Sequence, residues 1–209
     1  MTKTQKAAEN TANTALFARN ILSVYYTADL ATTTHGSAWY NEAFTIALQL
    51  GATYGVGTWK AAGIIAATSP QNEWNRNVAM AERILQNYVA GTSAVKGGGY
   101  LTLGLKKCDA ILALGSAVPS DIATILNGKK IVNFYNSILG DGNAVCVDGH
   151  AFNIAKCGLK RLGITQAGSL TPLQYDIVAN AYRAAAEILC IPATVCQAVT
   201  WVAYREFSR

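Results

Sequence analysis

The sequence predicts an all-α fold, and three observations carry that reading. Apolar residues recur at helical spacing through almost every segment; Ile131, Phe134, Tyr135, Ile138 and Leu139 follow an i, i+3, i+4, i+7, i+8 pattern. Helix start signals punctuate the chain at Pro119-Ser120-Asp121, Asp148, Thr171-Pro172 and Ile191-Pro192. The composition is 51% hydrophobic and only 14% charged over 209 residues. That suits one domain, or two small lobes sharing a core, and argues against a disordered tail, a coiled coil or a charged scaffold.

In chain order, Ala12–Tyr26 reads as a helix with Leu16, Phe17, Ile21, Leu22 and Tyr25 on its apolar face. A second helix begins near Ser37, carries Trp39, Ala43, Phe44, Ala47 and Leu48, and ends at Gly51 and Gly55. Ala61–Thr68 is nearly all small or apolar, which predicts a central buried helix. Pro70 closes it, since the residue before proline avoids the helical region. Asn72 or Glu73 opens a helix through Tyr88, with Val78, Ala79, Ala81, Ile84 and Leu85 inside. Gly91–Gly99 reads as a loop, Leu103–Leu114 as a basic amphipathic helix, and Pro119–Leu126 as a short helix. Asn127 is placed to cap the next helix, Gly128–Leu139. The short apolar run Ala144–Val147 leads to Asp148, which can cap a helix from Gly149 to about Gly158. Proline at the first helical position marks a helix from Pro172 to Leu189, and the last helix runs from Ile191-Pro192 to about Phe207. No repeat, heptad array or linker interrupts this series, and the expected strand content is near zero.

Charge and cysteines narrow the function classes. Seventeen Lys+Arg against twelve Asp+Glu give a formal charge of +5, which suits a polyanionic partner. The polar N-terminus has no signal-peptide core, and Ala61–Ala67 is too short to span a bilayer, so the expected place is the cytoplasm. Cys108, Cys146, Cys157, Cys190 and Cys196 are scattered, without a CxxC pair. They read as thiols in a reducing compartment rather than a zinc ribbon or a disulfide framework. With two histidines and no carboxylate–histidine cluster, no catalytic metal is expected.

Three segments concentrate polar chemistry: Asn127-Gly128-Lys129-Lys130 at a helix start, Val147-Asp148-Gly149-His150-Ala151, and Thr68-Ser69-Pro70-Gln71-Asn72 between two helices. Asp148 lies eighteen residues beyond Lys130, and Asn133 three residues beyond it. The stretch GKKIVNFYNSILGDGNAVCVDGHAF, residues 128–152, resembles the catalytic core of the helix-hairpin-helix DNA glycosylases, the superfamily of endonuclease III. That family places a lysine in the second helix of its hairpin and an aspartate, in a Val-Asp-x-His turn, eighteen residues later. The resemblance puts Lys130 on the lysine and Asp148 on the aspartate, and Asn133 matches too. IIAATSPQNEWNRN is similar to the family's Ser-x-Gln turn, whose glutamine enters the base stack; that maps to Gln71. The chain also resembles a family of uncharacterised bacteriophage proteins that share an HGxxWYxxA segment (His35 to Ala43), SPxxxWxxN (Ser69 to Asn77) and a GxKxxxFYxxI…VDxHA core. The family hairpin reads Leu-Pro-Gly-Val-Gly, whereas Thr124–Gly128 keep only the last glycine. Its iron–sulfur cysteine cluster is absent, so no cofactor is expected.

The resemblance implies a two-lobed helical glycosylase-like fold with a cleft between lobes. Residues 1–209 form a single domain in this reading. Lobe one covers approximately 52–139, and lobe two approximately 1–51 plus 140–209. Lys130, beside Lys129 and in the first turn of a helix, is the expected nucleophile, because both neighbours disfavour its protonated form. A solvated surface lysine is the alternative. Asp148 is the expected anion facing the anomeric carbon, and it serves equally well as an N-cap. Gln71 and Trp74 are expected to meet a base, by hydrogen bonding and by stacking, and a helix-cap role suits Gln71 equally well. Asn133, His150 and Lys129 complete the substrate contacts, and His35, Trp39 and Tyr40 offer an aromatic wall; the alternatives are a structural His150 and core packing for the aromatics. Lys106-Lys107, Lys156, Lys160-Arg161, Arg183 and Arg205 could contact phosphates. The implied activity is cleavage or exchange of an N-glycosidic bond in DNA or a nucleotide, with an AP-lyase step if Lys130 attacks. The alternatives are an inactive glycosylase fold that binds nucleic acid or a host protein, favoured by the altered hairpin, and a phage base-hypermodification enzyme.

Overall fold

Backbone hydrogen bonds close into helices along most of the described residues. The computed structural model describes residues 2–116, 118–160 and 170–207; Arg161, one of the basic residues named above, lies outside them. Eleven helices and no strand form among the described residues. They are α1 (Lys3–Tyr25), α2 (Leu30–Thr53), α3 (Thr58–Ala67), α4 (Trp74–Val89), α5 (Ala94–Gly97), α6 (Thr102–Ala113), α7 (Pro119–Leu126), α8 (Lys129–Ile138), α9 (Gly149–Cys157), α10 (Pro172–Leu189) and α11 (Ala193–Phe207). The protein is all-α. No single described helix is long and apolar enough to cross a membrane.

The differences from the sequence pattern lie at helix starts, where polar caps rather than apolar faces decide. α1 begins at Lys3, not Ala12, because Thr2 and Gln5 form a reciprocal capping box that starts a polar turn. α2 begins at Leu30, not near Ser37: Asp29 Oδ1 accepts from the Thr32 N–H at 2.8 Å. The Thr32 hydrogen bonds hold the Asp29 carboxyl below its ordinary value. Inside the expected 91–99 loop, α5 forms because Ser93 Oγ accepts from Lys96 N, while Asp109 accepts from the Ala94 and Val95 amides. Asn127 does not cap α8. It ends α7 with φ +46°, and Gly128, with φ +89°, takes the N-cap position without any side-chain cap.

The chain divides into two units, residues 1–40 with 141–209, and Asn41–Gly140. In the first, α1 packs against α9, α10 and α11. Ile21, Val24, Val147, Ile154, Val178, Tyr182, Ala185 and Cys196 are among its buried core. The segment before α9 is held from two sides. Tyr175 Oη donates to Val145 O at 2.7 Å and accepts from Val147 N at 3.3 Å. Thr194 Oγ1 donates to Asp141 O and Ala144 O at 2.6 and 2.9 Å.

In the second unit, α3 is the central helix the sequence predicts: Ala61–Ala67 are all buried, and α4, α6, α7 and α8 pack on it. Two lysines there terminate helices. Lys60 Nζ donates to Leu114 O after α6, and Lys107 Nζ donates to Leu126 O at the end of α7. A cation suits the negative end of a helix. Lys107 is therefore committed to a carbonyl of its own fold rather than to a phosphate, and burial pulls its ammonium below the usual lysine range.

Burial separates the thiols, from buried Cys108, Cys146 and Cys196 through half-buried Cys157 to exposed Cys190. Desolvation pushes Cys108 and Cys196 up to about 12, while Cys190 is exposed. At pH 8 iodoacetamide should therefore modify Cys190 in the folded chain and reach Cys108 and Cys196 only after denaturation, as peptide mass mapping would read. The two raised values also carry a sign. Between the unperturbed thiol value of 9.0 and about 12, the folded state binds more protons than the unfolded state. This contribution to stability is complete below pH 9 and is lost as pH rises towards 12. Denaturation midpoints measured from pH 8 to 11 should fall, and fall less when Cys108 and Cys196 are both alanine.

Candidate functional site

In the first unit the site is built around Asp148. The buried Ala144–Val147 run delivers it in an extended conformation, φ −95° and ψ −172°, to the start of α9. Oδ1 accepts from the Ala151 N–H at 2.8 Å, so Asp148 is the N-cap its position predicts. Oδ2 accepts from Trp201 Nε1 at 3.1 Å. Neither oxygen is left to rotate, so the carboxylate has one orientation.

Aromatic rings surround this acid. The Trp201 ring lies 6.0 Å from Trp39, 6.2 Å edge-on from His150, and 4.6 Å beneath the Arg205 guanidinium. Trp39 makes a T-shaped contact with Tyr40 at 4.8 Å, and His150 lies 5.9 Å from Tyr204. Tyr40 is buried and its hydroxyl donates to Gln197 Oε1 at 2.9 Å, which makes it a packing residue of α2 against α11. His35 is exposed, and no aromatic contact of its ring is seen among the described residues. The His150 Nδ1 is buried and has no hydrogen-bond partner among the described residues. Thus Asp148, His150, Trp39 and Tyr40 share one neighbourhood.

Trp201, Tyr204 and Arg205 belong to that neighbourhood; the sequence points to Arg205 only as a phosphate contact and to the two aromatic residues not at all. They are one face of α11, and only the fold brings them to Asp148, 53 residues away at Trp201. The available signal was chemical: a half-buried indole N–H needs an acceptor.

In the second unit Lys130 is the second residue of α8 and half-buried, while Lys129 is exposed. The α7–α8 connection is only Asn127-Gly128, both at positive φ. This is a tight helix–turn–helix in which the first amides of α8 lack a side-chain cap. Asn133 Nδ2 donates to Lys129 O at 2.7 Å, so this amide is spent at least in part on its own helix.

Gln71 occupies a strained turn. Asn72 N donates to Ser69 O at 3.2 Å, and Gln71, the third residue of the turn, has φ +59°. Since proline at the second position holds φ negative, this is a type II turn, whose third position favours glycine. A glutamine there costs about 1 kcal/mol. Gln71 is exposed, and Trp74, the first residue of α4, is half-buried. A separate cleft of about 470 Å³ in this unit is lined by Gly55, Thr58, Trp59, Lys60, Tyr88 and Gly115, and holds none of the sequence-predicted residues. Among the described residues, no three His, Cys, Asp or Glu side chains are grouped to hold a metal ion.

Against known proteins, the profile of a family of unknown function, DUF7178, matches residues 1–208. No curated protein and no solved structure matches the chain.

Proposed function

We propose that this chain, which belongs to the DUF7178 family, is a glycosylase-like protein that cleaves or exchanges an N-glycosidic bond in DNA or a nucleotide. The observation that supports this most is the Asp148 carboxylate, anchored by an α9 amide and the Trp201 indole among aromatic rings. When the C1′–N bond breaks, its electron pair leaves with the base and positive charge grows on the sugar. An anion already oriented toward that carbon stabilises the charge without reorganising. Trp39 and Trp201 supply flat apolar faces on which a base stacks. Lys130 is the proposed amine for a lyase step: it attacks C1′ and expels the base, or at an abasic site condenses with the open-chain C1′ aldehyde and releases water, and the ring-opened Schiff base is reduced by borohydride to a stable amine.

A binding protein without catalysis is the second reading, and one observation favours it. Both Asp148 oxygens already have protein donors, so a purely structural role also accounts for this residue.

Incubation with a duplex oligonucleotide carrying one abasic site, in the presence of borohydride, tests the choice. The lyase step expects a covalent adduct that Lys130→Ala abolishes and that Lys129→Ala, which removes the neighbouring cation, slows without abolishing. Retention of the duplex in a gel-shift assay, with neither an adduct nor release of free base from an intact duplex, would leave the binding reading in its place.

A further inference from the structure

We infer that Tyr100 is a positioning residue for Gln71: its hydroxyl holds the Ser69–Asn72 turn in the form that presents the Gln71 amide to the edge of a nucleobase. The inference rests on the nucleic-acid reading above and adds a residue that acts at a distance from any substrate.

The argument is one of peptide orientation. Type I and type II turns differ by a flip of the central peptide, here the one joining Pro70 to Gln71. In a type I turn Gln71 would take a negative φ suited to any residue. The observed φ is +59°. The Tyr100 hydroxyl donates to the Pro70 carbonyl, which belongs to that same central peptide. A flip would turn this carbonyl away and break the bond, so Tyr100 selects the strained form. Desolvation pushes the Tyr100 phenol up to about 12, which keeps it a donor across the physiological range.

The clamp is itself braced. A Cβ on Gly104 would stand 2.6 Å from Tyr100 Cε1, so this ring packs directly on the α6 backbone. The base of the turn is tied to α3 and α4. Thr68 Oγ1 donates to Asn77 Oδ1 at 2.6 Å and lies 2.8 Å from Ile64 O, and Asn77 Nδ2 donates to Ile65 O at 3.0 Å. Asn72 Nδ2 reaches back to Thr68 O at 3.3 Å. Glycine would suit this backbone better than glutamine. What glutamine adds is an exposed amide, one donor group and one acceptor, matched to a base edge rather than to a phosphate.

Two measurements on the full chain test the two halves of this inference. The first is thermal denaturation of Gln71→Gly, Tyr100→Phe and the double variant. Gln71→Gly should raise the midpoint by about 2–4 °C in the unaltered background. In the Tyr100→Phe background the freed turn can flip, and the gain should vanish. An equal gain in both backgrounds would overturn the clamp. The second is affinity for a duplex carrying 2-aminopurine opposite an abasic site, read by fluorescence. Gln71→Gly and Tyr100→Phe should each weaken binding about tenfold, with the double variant no weaker than either. Gln71→Asn keeps an amide and tolerates this backbone, so it should recover part of the loss. If the unaltered chain binds and Gln71→Gly binds equally well, the base contact is wrong while the proposed function stands. If the unaltered chain does not bind, the nucleic-acid reading falls and takes the base contact with it, whatever the melting data say of the clamp.

Discussion

Replacing Gly36 by alanine is expected to destabilise the first unit by about 3 kcal/mol, near the upper end of overpacking costs. A Cβ at this position would stand 2.5 Å from Val199 Cα and 2.9 Å from Val199 N. Those are backbone atoms of α11, and they cannot swing aside as a side-chain tip does. The crossing of α2 and α11 must widen instead. Trp39 sits one turn beyond Gly36, and Trp201 two residues beyond Val199, so the widening should also part the Trp39–Trp201 pair, now 6.0 Å apart. The check is thermal denaturation by circular dichroism, where the midpoint should fall by about 6–12 °C for a chain of this size. Tryptophan emission should shift at the same time. Gly115→Ala is the control: its Cβ would meet nothing within 4 Å, and its cost should stay within about 0.5 kcal/mol. Equal midpoints for the two variants would mean that α2 and α11 do not approach closely at Gly36.

That crossing shows what the sequence conveys and what it hides. The His35–Ala43 segment reads as an aromatic wall, yet its residues have different tasks. Gly36 lets two helices approach, Tyr40 bonds Gln197 in the core, and Trp39 meets Trp201. Helical spacing reveals that such residues share a face but not what the face meets. Local chemistry was legible. The Asp148 cap, the Thr171-Pro172 start and the buried Ala61–Ala67 helix each depend on neighbours within a turn or two. Start signals without an apolar face, such as Thr2 with Gln5 and Asp29 with Thr32, leave no trace in apolar periodicity. Long-range polar partners were not legible at all. Nothing in the sequence says that Lys107 closes α7 rather than facing a phosphate, or that the Trp201 indole meets Asp148. For the candidate site, Asp148 could be named from its local motif, while half of its surroundings came from α11.

The Trp201 contact changes what a test at Asp148 means. Asparagine is usually the neutral replacement for aspartate and a good N-cap, but here both carboxylate oxygens accept hydrogen bonds. Asparagine has one oxygen. Serving Ala151 N, it turns its Nδ2 donor toward the Trp201 N–H; flipped, it turns that donor toward the Ala151 N–H. Either way one N–H loses its acceptor, and Asp148→Asn should cost about 1–2 kcal/mol. Removing the competing donor should recover most of this. In a Trp201→Phe background, asparagine can give its oxygen to Ala151 N without conflict, so Asp148→Asn should cost little more than Trp201→Phe alone. A double-mutant cycle in denaturant midpoints reads this coupling. Release of free base from duplex DNA, read by chromatography, then separates structure from chemistry. Trp201→Phe keeps the negative charge and should hold the rate of base release within about tenfold. Asp148→Asn in the same background removes the charge at little further cost to the fold, and should slow base release by on the order of 10²-fold or more if that charge stabilises the transition state. Equal rates of base release for Trp201→Phe and for the double variant would reduce Asp148 to a helix cap that happens to lie among aromatic rings.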